Sequence, residues 1–301
     1  MIMGKWNLPE LDRWMPINKN SWPYRIFKKY DTELHRMIAS YVSASKYTYS
    51  HLKNDGATFS DKACEHFPFV PNERLSLRNW SDDFNLFNNW MFLNSLMAIS
   101  SYFETYLASI IKESIESDPG LLLGCTHSID GIKLLKYGHS LRNNDIESVI
   151  VDCTKGDWSS RISHMKVLFG RVPPIMEKNI SKLERIRKMR NEIAHAFGRD
   201  IDKARDYTNI VASPMHTIPS KRFYEYSILI GNIVQQVDLQ LVANNIGNFE
   251  PLYHFHNLYP QIKDKNKGEK LVTLKKHIGR NDINLFSKDD CRRLIMYYEN
   301  L

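Results

Sequence analysis

Residues 183–200 read Leu183-Glu-Arg-Ile-Arg-Lys-Met-Arg-Asn-Glu-Ile-Ala-His-Ala-Phe-Gly-Arg-Asp200. Ile186, Met189, Ile193 and Phe197 recur at three- and four-residue steps, the spacing that gathers side chains on one side of an α-helix. The pattern predicts a helix over 175–197, following Pro173-Pro174, with these four residues as its buried stripe. Gly198 comes next, where a helix C-terminus favours a residue that adopts positive φ without strain. Arg187, Asn191 and His195 fall at i, i+4 and i+8 on a second side, with Glu184 one turn earlier and Arg190 at the border. Arg190 and His195 lie about 140° apart around the axis. A single straight helix does not aim both at one small group.

The same periodicity recurs along the chain. Residues 25–53 carry Ile26, Phe27, Tyr30, Leu34, Met37, Ile38, Tyr41 and Val42 at helical steps. Over 82–117, Leu86, Trp90, Leu93 and Met97 run beside Leu96, Ile99, Phe103, Tyr106 and Ile110. Two adjacent stripes belong to a helix packed on several neighbours, and Asp118-Pro119-Gly120 ends it. Glu104 sits within the stripe. Its carboxylate is placed at the edge of the buried face or beside a cation, because an unpaired buried charge is costly. Residues 121–150 predict one or two short helices, and Asp157-Trp158 opens another over 158–170. Pro214 and Pro219 break 201–221. A further helix covers 222–246 through Phe223, Tyr226, Ile230, Ile233, Val234, Val237 and Leu241, with Gly247 closing it.

Between these helices, 54–79 is loop-like, broken by Asp55-Gly56 and by Phe67-Pro68-Phe69-Val70-Pro71. Residues 1–24 place Trp6, Trp14 and Trp22 among Pro9, Pro16 and Pro23. Recurrent proline excludes a helix there, and aromatics at that density predict an arm docked on its own domain or on a partner. The tail 248–301 opens with Tyr253, His254, Phe255, His256 and Tyr259, continues through lysines and ends in a helix over 288–301. No stretch alternates as a strand does. The fold class is all-α, divided into an aromatic-rich N-terminal extension (1–80), a helical bundle (81–247) and a basic C-terminal extension (248–301).

The chain has 301 residues and a net charge of +7, a balance that favours an anionic partner such as nucleic acid. Cys64, Cys125, Cys153 and Cys291 form no CxxC pair, which argues against a zinc knuckle or disulfide framework and for a reducing compartment. No apolar run approaches the roughly 20 residues of a membrane span, and the N-terminus lacks a signal peptide's apolar core. The expectation is a soluble, cytoplasmic protein without a membrane partner. His254-Phe-His256 and Cys64-Glu-His66 are too sparse for a zinc site. Lys263, Lys265, Lys267, Lys270, Lys275 and Lys276 suit a phosphate backbone, with the preceding aromatics to stack bases; the same run also suits a solvated hinge.

On the central helix, histidine supplies a proton-transfer group active near neutral pH. Arginine supplies a fork of donors for phosphate. The chain has no carboxylate cluster for Mg²⁺, no GxxxxGK[ST] loop and no GxSxG elbow. The set favours phosphodiester chemistry without metal or cofactor, most naturally attack by an RNA 2′-hydroxyl. A polar face of Arg and Glu with one His is also what a solvated helix surface presents.

Arg190-Asn191-Glu192-Ile193-Ala194-His195 resembles the Arg-(4–6 residues)-His motif of the HEPN superfamily, with the polar residue that commonly follows the arginine present as Asn191. The resemblance covers roughly 82–246. It implies a HEPN-like bundle of four or five helices with the motif late in an internal helix. It also implies a metal-independent ribonuclease in which two motif copies face each other across a homodimer and build one composite site. Arg190, Asn191 and His195 would then be catalytic, with Arg187 supporting them and Glu104 matching an acidic residue on an earlier long helix. Many such proteins act in toxin–antitoxin or phage-defence systems, which implies an antitoxin or defence partner. Others are non-catalytic nucleotide-binding or protein-interaction modules, the alternative implied here.

Overall fold

The helical periodicities become helices along most of the chain in a computed structural model that describes residues 6, 8–68, 75–208, 210–281 and 286–301. Met1–Lys5 of the lead-in and the Phe69-Val70-Pro71 part of the predicted loop lie outside the described residues. The helices are α1 (Trp22–Asn54), α2 (Ala63–His66), α3 (Leu77–Ser117), α4 (Gly131–Lys136), α5 (Asn143–Thr154), α6 (Trp158–Phe169) and α7 (Pro174–Lys178). They continue as α8 (Ile180–Ala196), α9 (Ile201–Arg205), α10 (Ser220–Leu241), α11 (Phe249–Ile262), α12 (Lys267–Asn281) and α13 (Lys288–Asn300). Among the described residues there is no sheet, only an isolated antiparallel bridge between Lys62 and Ser76. The fold is all-α.

Some details differ from the sequence reading. The helix predicted over 175–197 is two helices, because the backbone turns out of helical geometry at Asn179 (φ −120°, ψ 19°). Its amide side chain donates back to the Ile175 carbonyl at 2.8 Å. Phe197 is not part of the buried stripe: α8 stops at Ala196 and the Phe197 ring is exposed. Helices α11 and α12 fill 249–281, for which the sequence predicts no element. Pro251 falls in the first turn of α11, where its missing N–H has no partner to lose.

The chain forms two compact units, both discontinuous in sequence. One comprises Met1–Ile26, Glu104–Ile180 and Asn232–Leu301; the other, which carries the motif, comprises Phe27–Phe103 and Ser181–Gly231.

In the first unit the predicted arm is docked through polar contacts. Buried Arg13 donates from Nε to Asp130 at 3.1 Å, from Nη1 to the Ile246 carbonyl at 2.7 Å and from Nη2 to the Ser117 carbonyl at 2.8 Å. Its guanidinium also stacks over the Trp14 ring at 4.0 Å. Asn248 accepts from the Ile17 amide at 3.0 Å and donates to the Asp12 and Met15 carbonyls at 3.0 and 2.7 Å. Gly247, at φ +53°, lets the chain pass so close that a Cβ there would lie 2.4 Å from the Arg13 carbonyl oxygen.

Two buried carboxylates secure the entry to α1. Asp238 accepts from the Ser21 amide at 3.2 Å and from its hydroxyl, and Glu250 accepts from the Trp22 amide. Glu113 lies beside Glu250, and no donor among the described residues reaches either of its buried oxygens. A proton shared between the two carboxyl groups satisfies both. Burial, then the neighbouring Glu250 charge, pushes Glu113 well above the usual carboxylate range. Burial likewise raises Glu250, to about 7, against the opposing Trp22 amide. A carboxyl with a raised folded value keeps its proton where the unfolded chain has lost it. Its contribution is full below the unfolded value near 4.5 and is lost as pH rises through the folded one. Glu113→Gln keeps the hydrogen bond without the titration. Its unfolding midpoint is therefore expected to exceed that of the wild type at pH 8 by more than at pH 5, measured by urea titration. A gap that does not widen with pH would rule out the shared proton.

In the motif unit, the larger buried side chains include Phe27, Leu34 and Ile38 of α1; Phe92, Leu93, Leu96, Ile99 and Phe103 of α3; Leu183, Ile186 and Ile193 of α8; and Phe223, Tyr226 and Ile230 of α10. Phe223 packs against Phe92 at 5.5 Å between ring centres, and Ser227 Oγ meets His35 Nε2 at 3.1 Å. The buried run of α3 begins at Phe92; Leu86 and Trp90, predicted in its stripe, are exposed. They border a ladder of rings in which Trp80, Phe84, Phe87 and Trp90 follow one another at 5.1, 6.5 and 5.7 Å.

Candidate functional site

Helix α8 carries the motif. Leu183, Ile186, Ile193 and Ala196 anchor its apolar side, so the residues between them are turned towards its polar sides. Arg190 and Asn191 are half-buried and His195 is exposed. Arg190 donates from Nη1 to Asn191 Oδ1 at 3.1 Å, a contact that orients the guanidinium and uses the amide as an acceptor. One turn earlier Arg187 is forked onto Glu184, with Nε 3.0 and 3.1 Å from the two carboxylate oxygens. The helix remains regular to Ala196, so the angular gap between Arg190 and His195 persists.

Beyond Ala196 the chain turns sharply. Phe197 and Gly198 both adopt positive φ, +53° and +73°. Glycine adopts positive φ without strain, and a Cβ at Gly198 would press on Leu93 Cδ1 at 2.9 Å. Its amide donates to the Glu192 carbonyl at 3.1 Å, and its carbonyl accepts from the His216 amide at 2.6 Å. Arg199 Nε donates to the Ser213 carbonyl at 2.8 Å. Asn89 of α3 holds the same returning segment, donating to the His216 carbonyl at 2.8 Å and accepting from the Ile218 amide at 2.9 Å. His216 Nε2 faces Glu192 Oε2 at 3.1 Å. The end of the motif helix is thus clamped by segment 213–218. Sequence reasoning missed this clamp: Glu192 sits at a variable position of the motif, and His216 lies in a proline-bounded loop with no local signal.

The other predicted site residues lie in the first unit. Glu104 meets Arg161 Nη1 at 3.5 Å, one of the two placements its position in the stripe predicts. Arg161 also donates to the Gly156 carbonyl at 3.1 Å and stacks on Trp158 at 4.7 Å. Of the lysines, Lys263 and Lys265 are exposed between α11 and α12, and Lys275 and Lys276 are exposed on α12. Lys267 reaches over the Trp6 ring at 5.7 Å, and buried Lys270 pairs with Glu299 at 2.6 Å.

Among the described residues no group of three or more His, Cys, Asp or Glu is placed to hold a metal ion. His254 lies 5.9 Å from His277, ring to ring, and His256 Nδ1 meets the Tyr298 hydroxyl at 2.7 Å. His66 meets Asp61 at 3.4 Å. The four cysteines are free thiols, and burial, the first cause, pushes Cys153 up to about 12 and Cys291 up to about 11. Thiols held that high are poor nucleophiles near neutral pH. No described helix is long and apolar enough to cross a membrane. No protein-family model, curated protein or solved structure matches the chain.

Proposed function

We propose that the protein is a metal-independent endoribonuclease of HEPN type, a toxin or anti-phage effector acting in the cytoplasm under the control of an antitoxin or defence partner. The observation that carries the reading is the Arg190–Asn191–His195 set on one helix, with Arg190 oriented by Asn191 and His195 open to solvent. Arginine forks onto the scissile phosphate and stabilises its developing charge. His195 takes the proton from the 2′-hydroxyl as that oxygen attacks phosphorus, and a second imidazole gives a proton to the departing 5′-oxygen. The angular gap between Arg190 and His195 is why two copies of α8 complete the site in a homodimer. Arg187, held by Glu184, supports the field around the phosphate.

Incubation of the purified protein with total RNA in EDTA is expected to give fragments ending in a 2′,3′-cyclic phosphate and beginning with a 5′-hydroxyl, read by end-labelling. RNA left intact, or 3′-hydroxyl products, would overturn the reading. A second reading, a non-catalytic module that binds a nucleotide or another protein, draws on the exposure of Tyr207 (96%) and Ile210 (98%) in the loop after α9. It predicts intact RNA together with self-association or partner binding that is lost on substituting those two residues.

A further inference from the structure

Phe197 is the residue whose placement is hardest to justify by folding alone. It is 70% exposed, although its spacing would let it join the stripe of Ile186 and Ile193 if α8 ran one residue further. It also takes φ +53°, a conformation that is a genuine outlier for a bulky side chain. Both terms oppose folding, and both neighbours enforce them. Ala196 is buried on one side, and Gly198 is buried on the other with its amide tied to Glu192 and its carbonyl to His216. The amide of Gly198 reaches back six residues, a wider turn than helix ends usually close, and the extra residue extruded by it is Phe197.

Among the described residues, the other non-glycine residue at positive φ offers a contrast. His127 (φ +63°) stacks on Trp14 at 4.0 Å and its Nε2 meets the Asn244 carbonyl at 2.6 Å, so its conformation is repaid by contacts. Among the described residues no ring or cation stacks on Phe197. Residues held in such conformations without local compensation concentrate at sites where a ligand supplies the missing contact.

The composition of the helix it follows indicates what kind of ligand. Helix α8 carries Lys182, Arg185, Arg187, Lys188 and Arg190 against two carboxylates, Glu184 paired with Arg187 and Glu192 facing His216. Asp200, three residues beyond Phe197, is taken up in capping α9. His195 and Arg199 stand two positions to either side of the ring. An isolated, solvent-facing aromatic on a cationic helix is the pairing used to bind single-stranded nucleic acid: the π-face stacks on a base while cations hold the phosphates.

We propose that Phe197 is the stacking platform for the base next to the scissile phosphate, a positioning residue that sets the register of RNA over His195. The proposal rests on the ribonuclease reading above. Base stacking explains at once why the ring is aromatic, why it is outside the core and why the turn after His195 is built to keep it there.

The test uses the full chain and a short 2′-O-methyl RNA, which cannot be cleaved because the attacking hydroxyl is blocked. Phe197→Gly suits the positive φ, so the variant is expected to melt no lower than the wild type. It is expected to bind the RNA about tenfold more weakly. Phe197→Trp is expected to retain wild-type affinity and to show indole quenching on binding beyond that of the wild type. Equal affinity of the glycine variant and the wild type, or no binding by either, overturns the proposal. So does a glycine variant that binds RNA normally but sediments differently, which would assign the ring to a protein contact. Failure of the ribonuclease reading is separate: it shows as uncleaved ordinary RNA with the Phe197-dependent binding intact.

Discussion

Replacing His195 by alanine is expected to lower the rate of RNA cleavage by roughly 10²–10⁴-fold, the usual contribution of a positioned acid–base group. The fold is expected to survive. His195 is exposed, the substitution removes no buried contact, and alanine is the better helix former. A melt within a few degrees of the wild type therefore accompanies the loss. Arg190→Ala differs in kind, because it removes a phosphate ligand and also deprives Asn191 of the donor it accepts from. Initial rates on a short RNA in EDTA, beside circular dichroism melts, separate chemistry from folding. Retention of the wild-type rate by His195→Ala would remove His195 from the mechanism. Since the angular gap on α8 calls for two copies, specific activity is also expected to fall on dilution of the wild type through its dimer dissociation range.

Arg13→Ala is expected to destabilise the protein by about 3–5 kcal/mol, the cost of removing one member of a buried charge pair. The substitution leaves Asp130 short of its cation, removes the guanidinium from the Ser117 carbonyl and leaves the Ile246 carbonyl to the Ser117 hydroxyl at 3.1 Å. It also vacates the slot above Trp14. Domain stabilities run from about 5 to 15 kcal/mol, so such a cost is a large share of the whole. Arg13→Lys keeps the charge but not the fork: one ammonium cannot meet Asp130 and two separate carbonyls. It is expected to recover only part of the loss. The urea midpoint measures both, and an unchanged midpoint for Arg13→Ala would mean the arm contributes nothing to the stability of its unit.

The long helices were legible because their apolar residues repeat at three and four steps, a pattern that burial of one side imposes on a sequence. The positive φ of Gly198 was legible for an equally local reason. Phe197 was misread because spacing alone cannot tell a residue that continues a stripe from one displaced by the turn that ends it; the clamp from Ser213 to Ile218 decides that, and it lies in a different part of the chain. Arg13 gave no signal at all. In an irregular segment an arginine beside Asp12 and Trp14 looks like surface, while its partners stand 104, 117 and 233 residues away. Glu113, Asp238 and Glu250 escaped for the same reason. A buried carboxylate is recognised by what surrounds it, and here that includes Trp22 and Ser21 from the other end of the chain. The Arg190–Asn191–His195 set was readable as a pattern of residue types, whereas the pairing of Glu184 with Arg187 and the placement of His216 beside Glu192 were not.

The docking of the arm sets a timetable for synthesis. Every residue of the motif unit has been made once the ribosome passes Gly231, but Asp238, Ile246, Asn248 and Glu250, which receive residues 12–22, are still to come. Residues 12–22, translated before the motif unit, therefore find their native contacts after it is complete, with Trp14 and Trp22 waiting in the nascent chain. Contacts of such large sequence separation slow folding and prolong the exposure of apolar surface. The arm acts as a closing stitch: its engagement reports that the C-terminal helices have emerged, and a prematurely terminated chain leaves it loose for proteases to recognise.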